Sequence, residues 1–168
     1  VTEEELVIFN LRAAFHPGGR NLDPGTYTRL TRNGAVIMTD TPAEIRDHIW
    51  FVNRAWGHVL INGLGLGVCL QMVLEKPEVE RVTVIEKSED VIVLVAPSFS
   101  KDNRVQIILA DAFEYQPPKG VRYGAVWHDI WDTICGDNLP SMHRLHRKYG
   151  RRTEWQNSWC RELCERSR

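Results

Sequence analysis

Three glycines at alternate positions, Gly63-Leu64-Gly65-Leu66-Gly67, follow the strand-like run His58-Val59-Leu60-Ile61-Asn62, and an acid, Glu86, closes the next apolar run. That order of parts suits a nucleotide. Glycines let the chain turn tightly and bring bare backbone against a ligand, the following helix offers unpaired N–H groups, and an acid about twenty residues on can accept from two ribose hydroxyls. A dinucleotide fingerprint wants a glycine where Val68 stands, whereas the G-x-G-x-G form is common in pockets for S-adenosylmethionine (SAM). SAM is therefore the expected cofactor. NAD or another adenine nucleotide, and a glycine turn with no ligand, are the alternatives.

The expected cofactor contacts are Gly63, Leu64, Gly65 and Gly67 in the loop, then Glu86 with its neighbour Lys87 at the second strand end. Glu86 would take the ribose; its bland alternative is a solvated acid at a helix start. Asp111, which ends the third apolar run, would accept from an adenine amino group, with the N–H of Ala112 reaching a ring nitrogen. Alternatively Asp111 is an N-cap. The densest cluster is Trp127-His128-Asp129-Ile130-Trp131-Asp132. Asp129 ends the fourth run opposite the glycine loop, where a general base or a ligand for a substrate cation would sit, and aromatic neighbours would raise its proton affinity. It is the one candidate catalytic residue, and also a candidate cofactor contact. His128 falls on the other side of the strand and is left out of the chemistry.

The elements that hold these residues alternate. Strands are predicted over 58–62, 81–86, 105–109 and 124–130, and helices over 67–76 and 89–96. The strands are nearly continuously apolar, as in a parallel sheet buried on both faces, and right-handed crossovers give the order 3-2-1-4. The expected fold is α/β and Rossmann-like: a truncated, mostly parallel sheet flanked by helices, with an N-terminal β-hairpin. That hairpin is read from Asn33-Gly34 between the β-rich runs 26–31 and 35–39. A helix is expected to start at Thr41-Pro42, with Thr41 as N-cap and an apolar stripe of Ile45, Ile49, Phe51, Val52 and Trp56. Helices are also predicted over 3–15, 138–149 and 154–166. The fourth strand would then be a sheet edge, covered by Trp155, Trp159 and Leu163 or paired with another chain, and that edge and the C-terminal helices are the candidate surfaces for a homo-oligomer.

A chain of 168 residues with 43% hydrophobic content suffices for one core and is short for two. One compact domain is expected, with a leader, hairpin and helix over 1–57 and a SAM-binding part with C-terminal helices over 58–168. A net charge of -1 gives no general pull toward nucleic acid, although Arg144, Arg147, Lys148, Arg151 and Arg152 crowd one stretch. No segment has the apolar length of a membrane span, and the start, Val1-Thr2-Glu3-Glu4-Glu5, is acidic where a secretory signal is basic, so a cytoplasmic location is expected. Four cysteines without a C-x-x-C pair fit reduced thiols, and no metal site is expected.

From the Asn33-Gly34 turn to about Leu139 the chain resembles the spermidine synthase branch of the class I SAM-dependent methyltransferase fold. Val59-Leu60-Ile61-Asn62-Gly63-Leu64-Gly65-Leu66-Gly67 is similar to that branch's glycine motif, Val84-Ile85-Glu86 to its ribose strand and Ala110-Asp111-Ala112-Phe113 to its adenine site. Ala125-Val126-Trp127-His128-Asp129-Ile130-Trp131-Asp132 resembles its strand ending in two acids three apart, the first of which, here Asp129, helps deprotonate an attacking amine. The departures concern the diamine. The family's loop Asp, its Gln after the hairpin, and its Asp-Glu pair and Tyr align with Leu66, Ile37, Pro42-Ala43 and Arg46. Burying an ammonium without an anionic partner costs several kcal/mol, so aminopropyl transfer to putrescine is not expected. The resemblance implies a SAM-dependent transferase, chiefly a methyltransferase on an acceptor the sequence does not name. A non-catalytic nucleoside-binding or assembly protein is the second reading.

Overall fold

The structure, a computed structural model, describes residues 24–167, so the helix predicted over 3–15 lies outside the described residues. Five parallel strands form the central sheet: β3 (Gly57–Asn62), β4 (Val79–Glu86), β5 (Val105–Leu109), β6 (Tyr123–His128) and β7 (Thr153–Ser158). Their order is β5-β4-β3-β6-β7. The first four follow the expected 3-2-1-4 arrangement. Side chains alternate between two cores, which is why the strands read as unbroken apolar runs. Val59, Ile61, Val82, Val84 and Trp127 face one core; Leu60, Ile85 and Val126 face the other.

Helix α1 (Pro42–Arg54), α2 (Val68–Leu74) and α3 (Glu89–Val95) cover the first core through Phe51, Leu70, Val73 and Val95. Helix α4 (Leu139–Tyr149) covers the second through Leu145 and Tyr149, and α5 (Arg161–Arg166) packs beside it through Cys164. A separate antiparallel hairpin, β1 (Arg29–Arg32) and β2 (Ala35–Thr39), turns at Asn33 and Gly34, both at positive φ as the Asn-Gly signal requires. Among the described residues no helix is long and apolar enough to cross a membrane.

Three expectations need correction. Residues 154–158 are not helical: they belong to β7, which pairs in parallel with β6, so the fourth strand is not an edge for a second copy to occupy. Trp155 therefore packs from a strand, stacking on Phe51 at 6.2 Å. Thr41 precedes α1, but its side chain makes no cap hydrogen bond; its hydroxyl instead meets that of Thr39. The buried face of α1 is also different, because Ala43, His48 and Phe51 are buried while Ile49 and Trp56 are 43% and 48% exposed.

The C-terminal end of α1 is closed from α2's side by Lys76, whose Nζ donates to the carbonyls of Val52 (2.8 Å), Asn53 (3.4 Å) and Ala55 (2.7 Å). A cation there complements the helix dipole and satisfies orphan carbonyls. Lys76→Met keeps the stem and removes the donors, and is expected to lower stability by about 1–3 kcal/mol in urea unfolding. An unchanged midpoint would assign the contact no stabilising role.

Candidate functional site

The glycine loop leaves the C-terminal end of β3 with Gly63, Gly65 and Gly67 all at positive φ (99°, 51° and 79°). A side chain on Gly63 would collide with the backbone carbonyl oxygen of Asp129, and one on Gly65 with Met38 Sδ. The loop after β3 and the segment after β6 are thus in contact, with Asp129 N–H donating to Asn62 O at 2.8 Å. This is the crevice where the strand order reverses.

Glu86 is aimed into that loop. Its Oε2 accepts from the N–H of Leu64 (2.8 Å) and its Oε1 from the N–H of Ser88 (2.7 Å). Each carboxylate oxygen keeps a lone pair that a ribose hydroxyl can use. Leu64 itself is buried at the start of the loop.

At the neighbouring strand end, Asp111 Oδ1 accepts from Phe113 N–H, and Oδ2 from Lys87 Nζ, both at 2.8 Å. The hydrogen bond from Lys87, then that from Phe113, hold the Asp111 carboxyl below the usual carboxylate range. Asp111 thus closes a turn and spans to Lys87, which is 78% exposed. Ala112 is buried, its carbonyl held by Lys148 Nζ at 3.0 Å.

Asp129 lies across from Glu86 with 12% of its side chain exposed and Oδ2 4.0 Å from His48 Nδ1. Burial pushes its carboxyl up to about 8, and the negative charges of Asp47, Glu44 and Glu86 push in the same direction; Trp127 offsets part of this. The buried Cys69 thiol is pushed up by burial and by Asp129. Such a carboxyl holds its proton near neutrality and can exchange it.

Glu44, Asp47 and His48 escaped the sequence reading. They occupy one turn of α1, and hydrophobic periodicity places polar residues outward by construction. Glu44 accepts from Thr39 through both oxygens; Asp47 Oδ2 accepts from Trp159 Nε1 (3.1 Å) and from the Cys160 thiol (3.4 Å). Arg46, which stands where the resembled family has a diamine-binding residue, is exposed on α1. Its Glu44 and Asp47 neighbours bring negative charge toward Asp129 instead. A signal was present: three polar residues at positions continuing the face of Phe51 and Ala55.

His128 belongs to the scaffold. Its Nδ1 accepts from Asn62 Nδ2 (2.8 Å) and its Nε2–H donates to Gln156 Oε1 (3.2 Å), a tautomer assigned from those partners. Burial lowers its pKa to about 3, keeping the ring neutral. The contacts link β3, β6 and β7 side to side.

No protein-family model and no curated protein matches this chain. Solved structures do. The 23S rRNA methyltransferase ErmE superposes with a TM-score of 0.53 at 17% identity over 68% of this chain and 43% of its own. A spermidine synthase from Thermotoga maritima gives 0.53 at 19% identity over 72% and 43%. The fold is that of methyltransferases and spermidine synthases. The CcbJ methyltransferase from Streptomyces caelestis shares this methyltransferase fold at 0.50 and 20% identity, over 67% and 49%. The chain spans less than half the length of these three structures.

Proposed function

We propose that the chain binds SAM across the C-terminal ends of β3, β4 and β5 and transfers a group from it, most simply the methyl group, to an acceptor held near Asp129. The observation that carries this reading is the Glu86 carboxylate 2.8 Å from the Leu64 N–H of a loop with three positive-φ glycines. The pairing puts a ribose acceptor beside backbone that can approach a nucleoside. Gly63, Leu64, Gly65 and Gly67 would face the methionyl part and the sugar, Glu86 the ribose hydroxyls, and Lys87, Asp111 and Ala112 the adenine. SAM's sulfonium is already activated, so catalysis is mainly alignment of an acceptor nucleophile with the methyl carbon. As the new bond forms and the carbon–sulfur bond breaks, the ionised form of Asp129, which becomes populated as pH rises toward 8, takes the nucleophile's proton.

Titration calorimetry with SAM, S-adenosylhomocysteine, methylthioadenosine and NAD tests this directly. Binding of the first two is expected, with a loss of about tenfold or more in Glu86→Ala, since a hydrogen bond to a charged acceptor is worth roughly 1.5–3 kcal/mol. Preference for NAD, or indifference to every nucleoside, would end the proposal.

A second reading has its own support. Met38 covers the loop, and Glu86 and Asp111 already hold partners within the protein, as in a binding or assembly protein without turnover. Tight SAM binding with no labelled acceptor from a cell extract would favour it.

A further inference from the structure

We propose that the β1–β2 hairpin is a gate on the glycine loop, with Met38 as its tongue, and that an adenosyl ligand enters by displacing it. The inference rests on the SAM reading above and adds how that site is controlled. A glycine loop serves a nucleoside by presenting bare Cα and N–H groups. Here one thioether takes both. Met38 Sδ lies against Gly65, where a side chain would collide with it, and accepts from the Leu66 N–H at 3.3 Å. A thioether is a weak acceptor, so a ligand oxygen can replace it at small cost.

The hairpin is built to move. It is a two-stranded sheet separate from the central five, largely exposed, and such hairpins are marginal on their own. Side chains tie it down at both ends: Thr39 N–H and hydroxyl donate to Glu44 (both 2.8 Å), and Arg32 pairs with Asp132. Arg32 and Asp132 are 63% and 39% exposed, so this second tie is weak and screened by salt. The closed hairpin therefore reaches from the start of α1 to the segment that carries Asp129. Met38 has three rotatable side-chain bonds and can swing aside without unfolding either strand.

Two measurements on ligand-free and ligand-bound protein decide the matter. In hydrogen exchange without ligand, Met38→Ala should speed exchange of the Leu66 amide while β3 amides keep their protection; an unchanged Leu66 rate overturns the contact. In calorimetry with S-adenosylhomocysteine, Met38→Ala should bind about tenfold tighter than the wild type, because the closed population no longer competes with the ligand. Arg32→Ala, which loosens the hairpin without altering the loop, should shift affinity the same way by a smaller factor and serves if Met38→Ala folds poorly. Equal or weaker binding in the variants, with the wild type still binding, overturns the gate and leaves the SAM reading standing. Binding by none of the three proteins overturns the SAM reading and the gate with it.

Discussion

Gly63→Ala is expected to lower stability by about 3–5 kcal/mol, a large part of what holds a domain of this size together. Two effects combine. The residue sits at φ 99°, outside the regions an alanine adopts readily, and its added methyl would meet the Asp129 carbonyl oxygen, which is backbone and cannot rotate away. Relief would require separating the loop after β3 from the segment after β6. That breaks the Asp129 N–H to Asn62 O bond at 2.8 Å and strains the Gly63 N–H bond to Ile85 O, also 2.8 Å. Gly34→Ala is the control: its φ is 80° and nothing lies within 4 Å of the added carbon, so it reports the backbone term alone, about 1–2 kcal/mol. Urea unfolding of both variants separates the contributions. Equal losses would mean that the two loops are not in contact at Gly63.

The contact at Gly63 was legible in the sequence because it follows from topology. Once four apolar runs alternate with helices, right-handed crossovers place the first beside the fourth, and the turns at their ends must face each other. Glu86 was legible for the same reason, as the end of the strand on the other flank. The hidden strand was β7. Thr153-Glu154-Trp155-Gln156-Asn157-Ser158 has no apolar run, and Trp155, Trp159 and Leu163 recur every four residues, which reads as one helix. An edge strand need bury little, and this one uses its polar side chains as fastenings: Gln156 bonds His128 and the His146 carbonyl, and Ser158 bonds the His146 ring. Sequence patterning reports burial, and a strand held by hydrogen bonds does not announce itself that way.

The same blindness hid half of the site. Met38 was one apolar residue in a hairpin, and nothing in its type or spacing says that its sulfur faces the Leu66 N–H. Glu44, Asp47 and His48 were polar residues on an amphipathic helix, outside its predicted apolar stripe. Their spacing with Phe51 and Ala55 hints at an inward face, and their partners fix it: Thr39 for Glu44, and Trp159 with Cys160 for Asp47. Those partners come from the hairpin and from the turn after β7, elements whose positions follow from tertiary packing. Lys87 and Asp111 were named individually, but their mutual ion pair was not foreseen.

Asp129→Asn is expected to stabilise the protein in alkaline solution while removing its capacity to take a proton. In the fold the carboxyl titrates near 8, chiefly because it is buried and secondarily because Asp47, Glu44 and Glu86 surround it. In the unfolded chain an aspartate titrates near 3.9. Between those values the folded state holds a proton that the unfolded state has lost, so wild-type stability falls as pH rises from about 4 to about 8 and then levels off. Asparagine has no proton to lose. Relative to the wild type, the variant should gain little at pH 4 and on the order of 3–5 kcal/mol at pH 9, a screened value below the full linkage limit. Urea midpoints of the two proteins across that range check the direction. A constant difference with pH would place the Asp129 titration at an ordinary carboxylate value and remove the basis for proton transfer in the proposed reaction. If the difference grows as expected and SAM still binds the variant, then the fold tolerates a persistent cost at this position. An acid whose proton affinity is raised this far by burial and neighbouring acids is a candidate for taking or giving a proton at a ligand site.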